Sequence, residues 1–106
     1  MNQFKFTSHL SEILESSEMG PVIIFKYSNS CGSSTKLSKT LIEYINEKKI
    51  KHTIYRVTVQ TEPVLSQKIA DWFHIKHESP QIITVSKGKV IYTDHHNSIN
   101  LEKLLP

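Results

Sequence analysis

Cys31 is the residue whose type and position offer the clearest chemistry, and it is the only cysteine in the sequence. It lies within residues 26–34, between the apolar run 21–25 and a helix-like segment that starts near Gly32. Unpaired backbone N–H groups and the positive end of a helix dipole stabilise a thiolate over a thiol at such a place. The thiolate is the nucleophile, so the sequence predicts a reactive Cys31; the alternative is a small buried apolar residue.

Ser34 stands where a second thiol would complete a C-x-x-C pair, so the motif is C-x-x-S, a redox turn with a single thiol. Its hydroxyl either donates a hydrogen bond to the Cys31 thiolate or simply belongs to the first helical turn. Lys26 and Lys36 would lower the pKa of Cys31 if they lay close to it, but such lysines are usually just solvated. With one cysteine, any disulfide must form with another molecule.

The composition is that of one domain spanning residues 1–106. A chain of this length can bury a core without disulfide staples. The formal net charge of +3 comes largely from scattered lysines. We find no basic patch interleaved with exposed aromatic residues, which argues against nucleic-acid binding. The longest apolar run is too short to cross a bilayer, and the first six residues lack the apolar block of a signal peptide. We therefore expect a cytoplasmic monomer without a membrane partner.

Hydrophobic periodicity and turn residues predict elements in the order α-β-α-β-α-β-β-α. The strand–helix–strand unit should be parallel with a right-handed crossover, and the turn at residues 87–89 should close an antiparallel hairpin. Asn97 or Ser98 is expected to cap a short final helix. The predicted fold class is therefore α/β, with a four-stranded mixed sheet and helices on both faces. The predicted strands are residues 21–27, 52–59, 81–85 and 90–92.

The chain resembles the thioredoxin-like superfamily over nearly its whole length. A first strand ends in a cysteine turn, and Pro80 opens the third strand. In that fold this proline is cis and sits against the cysteine, so the resemblance implies a cis bond between Ser79 and Pro80. The backbone of Ser79 would then face Cys31 and hold an incoming sulfur compound as a short extra strand.

Within the superfamily the sequence is most similar to the monothiol bacilliredoxins, the YtxJ-type proteins of the bacillithiol system. The matching blocks are residues 25–28 leading to Cys31 and Ser34, residues 63–70, and residues 75–81 followed by a strand, a glycine turn and His96. The family turn usually reads cysteine-proline-isoleucine-serine. Here Gly32 and Ser33 replace the proline and isoleucine, which echoes the cysteine-glycine turn of monothiol glutaredoxins.

The resemblance implies that the Cys31 thiolate attacks a mixed disulfide between a client protein and a low-molecular-weight thiol, with bacillithiol as the expected co-substrate. The client leaves reduced, and a small thiol or a reductase completes the cycle. The implied thiol-binding residues are Gly32, Ser34, Ser79, Pro80 and His96. No tightly bound cofactor is expected. Six histidines invite a metal hypothesis, but their spacing matches no zinc pattern, so we expect no metal site.

Two other functions remain open from the sequence. One is an iron–sulfur cluster or small-thiol carrier resembling monothiol glutaredoxins, in which one Cys31 from each of two chains and two small thiols would hold a cluster. Ser33 argues against it, because the glutaredoxin signature continues with an aromatic residue there. The other is a thioredoxin-like adaptor without turnover, whose Cys31 would titrate like an ordinary cysteine.

Overall fold

The computed structural model describes residues 4–105. Met1–Gln3 and Pro106, which the sequence analysis counted in the domain, lie outside the described residues. The helices and strands are α1 (Leu10–Met19), β1 (Val22–Tyr27), α2 (Gly32–Asn46), β2 (Thr53–Thr58), α3 (Pro63–Phe73), β3 (Gln81–Ser86) and β4 (Lys89–His95), followed by two 3₁₀ segments, His96–Ser98 and Leu101–Leu104.

The four strands form one mixed sheet in the order β2-β1-β3-β4. β1 pairs with β2 in parallel, whereas the pairs β1–β3 and β3–β4 are antiparallel. β1 is therefore a central strand, and its first five residues are all buried. A continuous apolar run is typical of a strand that is covered on both faces, and the structure confirms this prediction.

Helices cover both faces of the sheet, as predicted. The strands' side chains alternate between two cores, because successive residues of a strand point to opposite faces. The first core lies against α1 and α3 and contains Ile13, Val22, Ile24, Tyr55, Val57, Leu65, Ile69, Ile83 and Val85. The second lies against α2 and contains Phe4, Ile23, Phe25, Leu41, Ile50, Ile54, Ile82 and Leu104.

The hairpin between β3 and β4 turns at Lys87 and Gly88, where the sequence predicted it. Both residues have positive φ, 50° and 76°, as the tight hairpin turn that matches strand twist requires. Ser17 holds this turn against α1, because its carbonyl accepts the Lys87 N–H at 2.8 Å and its hydroxyl accepts the Gly88 N–H at 3.0 Å.

The predicted final α-helix is wrong: two 3₁₀ segments stand in its place. Asn97 and Ser98 lie inside the first segment, and Asn100 caps the second by accepting the Glu102 N–H at 3.0 Å. The spacing of the apolar residues explains the difference. Leu101 and Leu104 are three residues apart, and a 3₁₀ turn aligns such positions on one side, here toward the second core.

No helix within residues 4–105 combines the length and the apolar character that crossing a membrane requires.

Candidate functional site around Cys31

Cys31 lies at the junction between β1 and α2. It is the N-cap residue of α2, with extended backbone angles, and its side chain is partly exposed. The Cys31 N–H donates to the Ser28 carbonyl at 3.3 Å, and the Cys31 carbonyl accepts the Thr35 N–H at 3.1 Å. The sulfur therefore sits beside the unpaired N–H groups of the first helical turn and in contact with solvent, as the sequence predicted.

Hydrogen bonding lowers the pKa of Cys31 below that of an ordinary cysteine. The backbone N–H of Ser34 is the largest cause; burial opposes it, and smaller contributions come from the Ser33 N–H and from the hydroxyls of Ser34 and Ser33. Donors of this kind favour the charged form. Among the described residues, the causes of the lowering are these donors and not the charges of Lys26 or Lys36.

The Ser34 hydroxyl is fully buried, and its oxygen makes no hydrogen bond of ordinary geometry to any described group. A buried hydroxyl without a partner is costly. The hydroxyl nevertheless lies near enough to Cys31 to help lower the pKa of the thiol. We interpret Ser34 as a donor that lacks a good acceptor beside the neutral thiol and gains one when the thiolate forms.

Ser34→Ala is expected to raise the pKa of Cys31 toward the ordinary value without reaching it, because the backbone donor of residue 34 remains. Only the thiolate is alkylated, so the midpoint of the iodoacetamide reaction rate against pH reports this pKa directly. Thr35→Ala is the matched control, since the Thr35 hydroxyl donates to the Cys31 carbonyl and not to the sulfur. Equal midpoints in the wild type and Ser34→Ala would show that the hydroxyl has no part in stabilising the thiolate.

Gln60 holds the loop that precedes Cys31, a role that the sequence analysis did not assign. Its Nε2 donates to the hydroxyls of Ser28 at 2.7 Å and Ser30 at 3.3 Å, and its Oε1 accepts the Asn29 N–H at 3.1 Å. One side chain from the β2–α3 connection therefore bonds to three consecutive residues. The sequence gives little indication of this contact, because Gln60 lies about thirty residues after Ser28 and Ser30.

Gln60→Ala is expected to loosen residues 28–30 and to speed amide hydrogen exchange at Asn29 by about tenfold, since about 1.4 kcal/mol of local hydrogen bonding corresponds to a factor of ten. Gln67→Ala is the matched control, because the Gln67 side chain lies on the exposed side of α3 and bonds, among the described residues, to Asp71 alone. The measurement is hydrogen exchange followed residue by residue by NMR. Unchanged protection at Asn29 would contradict the role assigned to Gln60.

Pro80 begins the segment opposite the cysteine turn, and the peptide bond between Ser79 and Pro80 is cis. Pro80 is buried and Ser79 is half-buried. The Pro80 carbonyl accepts the His96 N–H at 3.0 Å, and His96 Nε2 lies 3.0 Å from Glu78 Oε1. The pKa of Glu78 is lowered, mainly by this hydrogen bond with His96. Glu78 is therefore part of a connected structure and not a free loop carboxylate.

An open groove of about 350 Å³ runs from the first turns of α2 to the 3₁₀ segments. Its wall brings together two of the predicted site residues, Pro80 and His96, with Ser33 and Lys36. The predicted residues Cys31, Gly32, Ser34 and Ser79 do not belong to the described wall of this groove. The groove therefore places His96 and Lys36 next to the cysteine turn.

Gly32 occupies the first position of α2 and is exposed. An added Cβ at this position would meet open space, and its φ is not in the left-handed region. The backbone therefore does not require glycine at this position.

Lys26 is not a solvated lysine: its side chain is completely buried. Its Nζ donates to the Ser66 carbonyl at 2.8 Å and lies 3.1 Å from His77 Nδ1. Burial lowers the pKa of Lys26 to about 8, although the charge of Asp71 opposes this. Burial and the charge of Lys26 lower the pKa of His77. The sequence analysis treated Lys26 as a solvated surface group, and that interpretation was wrong.

No group of three or more histidine, cysteine, aspartate or glutamate side chains within residues 4–105 is arranged to hold a metal ion. His95 and His96 pack edge to face, with 5.4 Å between their ring centroids.

Comparison with known proteins places this site in a family. The model of the family described as monothiol bacilliredoxin BrxC matches residues 2–104. The chain belongs to the monothiol bacilliredoxin family. The match includes the C-x-x-S turn and the Ser79–Pro80 segment. Cys31 is therefore interpreted below as the single thiol of a bacilliredoxin. Family and fold together support a thiol-redox function.

Solved structures agree with the fold of this bacilliredoxin. A protein described as an oxidoreductase with a thioredoxin fold, its activity not established, is 27% identical with a TM-score of 0.79, and the match covers 93% of this chain and 88% of that one. Oxidised thioredoxin from Plasmodium falciparum is 18% identical with a TM-score of 0.70, over 96% and 94%. A mutant thioredoxin from Halobacterium salinarum is 12% identical with a TM-score of 0.72, over 96% and 84%.

Proposed function

We propose that this bacilliredoxin is a monothiol thiol-disulfide oxidoreductase that removes a low-molecular-weight thiol, bacillithiol, from oxidised cysteines of client proteins. The observation that carries the proposal is the state of Cys31: a partly exposed N-cap thiol whose pKa is lowered by the donors of the next helical turn. Such a thiol supplies a nucleophile at neutral pH, and no second cysteine competes for the adduct.

The proposed reaction is one disulfide exchange. The Cys31 thiolate attacks the bacillithiol sulfur of the mixed disulfide, the bond to the client sulfur breaks, and the client leaves as a thiolate that takes a proton from water. Cys31 then carries bacillithiol as a mixed disulfide. A second bacillithiol thiolate, or a reductase, attacks this adduct and releases the Cys31 thiolate.

The residues around Cys31 receive roles in this proposal. Ser34 and the N–H groups of the first turn of α2 stabilise the thiolate before attack and after release. Ser79 and Pro80 present the backbone on which the incoming disulfide lies, and Gly32, which has open space beside it, adds no side chain next to Cys31. His96, together with Lys36, attracts the anionic part of the small thiol into the groove. The protein would act as a cytoplasmic monomer, in a compartment where thiols are kept reduced.

The test is transfer of the adduct. Reduced protein is mixed with a client whose single cysteine carries bacillithiol, and both proteins are weighed by mass spectrometry over time. The client should lose the mass of bacillithiol and the bacilliredoxin should gain it, with one adduct per chain. A client capped with glutathione measures the preference for bacillithiol.

Failure of transfer to Cys31 would overturn the proposal. Protein purified without oxygen gives the second measurement: a coloured dimer would support the iron–sulfur carrier, and a colourless chain that neither transfers the adduct nor alkylates quickly at neutral pH would support the adaptor.

A further inference from the structure

The buried amine of Lys26 lacks a carboxylate within salt-bridge distance among the described residues. It is bonded instead to a backbone carbonyl of α3 and to the His77 ring. Burying a lysine with only neutral partners is costly, and an apolar side chain of the same length would fill the space at lower cost. Packing alone therefore does not account for Lys26.

The donor inventory determines the state of the His77 ring. A charged amine has only donors, so His77 Nδ1 must accept the hydrogen bond from Lys26. The ring is then neutral, with its proton on Nε2. The Ser66 hydroxyl lies 3.2 Å from the same Nδ1 and, because a hydroxyl can donate as well as accept, is compatible with this state. Protonation of His77 would put a second donor and a second positive charge against Lys26.

This hydrogen bond joins β1 to the segment that precedes β3. Lys26 lies on β1, one residue before its end, and β1 leads into the loop that carries Cys31. His77 is two residues before Ser79 on the segment that enters β3. The same segment is also held by Gln81 Nε2, which donates to the Lys76 carbonyl at 3.0 Å, and by the bond between Glu78 and His96. Among the described residues, Lys26–His77 is the side-chain hydrogen bond that ties this segment to β1, and it adds to the pairing of Lys26 with Gln81 in the sheet.

We propose that Lys26 is a positioning residue for disulfide exchange: through His77 it fixes the Ser79–Pro80 backbone relative to Cys31, and it does so while His77 is neutral. The proposal rests on the proposed function for its consequence in catalysis. The structural part of the proposal, the coupling of His77 to Ser79, does not depend on the proposed function.

The charged groups around Lys26 and His77 determine the pH range in which their hydrogen bond is intact. Lys26 from β1 disfavours protonation of His77, and Glu78 on the same segment favours it. Asp71 from α3 favours the charged form of Lys26. Lys76, His95 and His96 act on Glu78. The pKa of His77 is lowered, so the hydrogen bond is intact at neutral pH and is lost as the pH falls through that value. Near pH 8 Lys26 loses its own charge, and the hydrogen bond between its Nζ and His77 Nδ1 then becomes weaker.

The first experiment needs no substrate. A pH titration of the full chain by ¹⁵N NMR follows the His77 ring and the Ser79 amide together. The Ser79 shift should move with the same midpoint as His77. His77→Gln, which keeps an acceptor but cannot be protonated, should remove this movement, and Lys26→Met should raise the His77 midpoint because a neighbouring positive charge is gone. A Ser79 shift that stays flat while His77 titrates overturns the proposal.

The second experiment divides the rate of adduct transfer by the rate of iodoacetamide alkylation at each pH. Both need the thiolate, but only transfer needs the Ser79–Pro80 backbone. Lys26→Met should lower this ratio about tenfold, as expected for a small misplacement of a binding group, while keeping the alkylation rate and a melting temperature at least as high as in the wild type. His77→Gln should keep the neutral-pH ratio within about threefold and lose its decline in acid.

Lys39→Met, a change at an exposed lysine of α2, is the control and should match the wild type. An unchanged ratio in Lys26→Met overturns the positioning role. If the wild type transfers no adduct, the proposed function fails, and the NMR titration still decides whether Lys26 and His77 control Ser79. Should Lys26→Met not fold, the wild type and His77→Gln titrations decide the same question.

Discussion

Replacing Cys31 with serine is expected to abolish transfer of bacillithiol to the protein, with the rate falling to that of the uncatalysed exchange. The sequence holds no other thiol, so no nearby group can substitute for the lost nucleophile. Serine keeps the N-cap position well occupied, because its hydroxyl is a preferred cap. The fold should therefore survive, and the loss should be one of chemistry alone. The measurement is the mass of client and bacilliredoxin over time, with the circular dichroism spectrum as the check on folding.

A matched change elsewhere on the same turn separates chemistry from geometry. Ser33→Ala removes an exposed hydroxyl that contributes least to the pKa of Cys31. It should slow transfer by less than about threefold, a fraction of the 1.4 kcal/mol that corresponds to tenfold. Residual transfer by Cys31→Ser at the wild-type rate would mean that the adduct leaves the client without Cys31, and the proposed reaction would then be wrong.

The parts of the site that follow from local sequence were predictable. Cys31 lies between an apolar run and a helix-like segment, and a chain that passes from strand to helix in this way must leave the thiol near unpaired N–H groups. Local sequence also predicted the turn at Gly88, from its glycine, and the burial of β1, from its continuous apolar run. The final helix failed because its apolar residues fit both an α and a 3₁₀ period, and packing against the second core selected the tighter turn.

The parts that failed depend on partners far away in the chain. Lys26 is bonded to His77, 51 residues later, and Gln60 to Ser28, 32 residues earlier. Each residue type is most often solvated, and only the folded chain brings the partners together. The strand period does place Lys26 on the face of Ile24, the one covered by α1 and α3. The shared strand face of Lys26 and Ile24 therefore predicts that Lys26 is buried. Because a buried lysine needs polar partners, the histidines are candidates for that partner.

The second large effect is expected on stability, from Ile83→Ala. Ile83 lies in the middle of β3 between β1 and β4, and its side chain is fully buried in the core that faces α1 and α3. Truncating it removes apolar burial and leaves a cavity, so the free energy of unfolding should fall by about 2–5 kcal/mol. Domains of this size have about 5–15 kcal/mol in total, which makes the loss a large fraction.

Ile91→Ala provides the matched control, because Ile91 lies on the neighbouring strand β4 but is 60% exposed. Its truncation should cost less than about 1 kcal/mol, the span of strand preference alone. Urea denaturation of both variants, with the m-value held to that of the wild type, measures the difference. Equal losses would contradict the assigned burial of β3. The result also bears on the site: β3 begins directly after Pro80 and pairs with β1, so a core that holds these two strands together also fixes the position of Pro80 relative to the end of β1, which leads to Cys31.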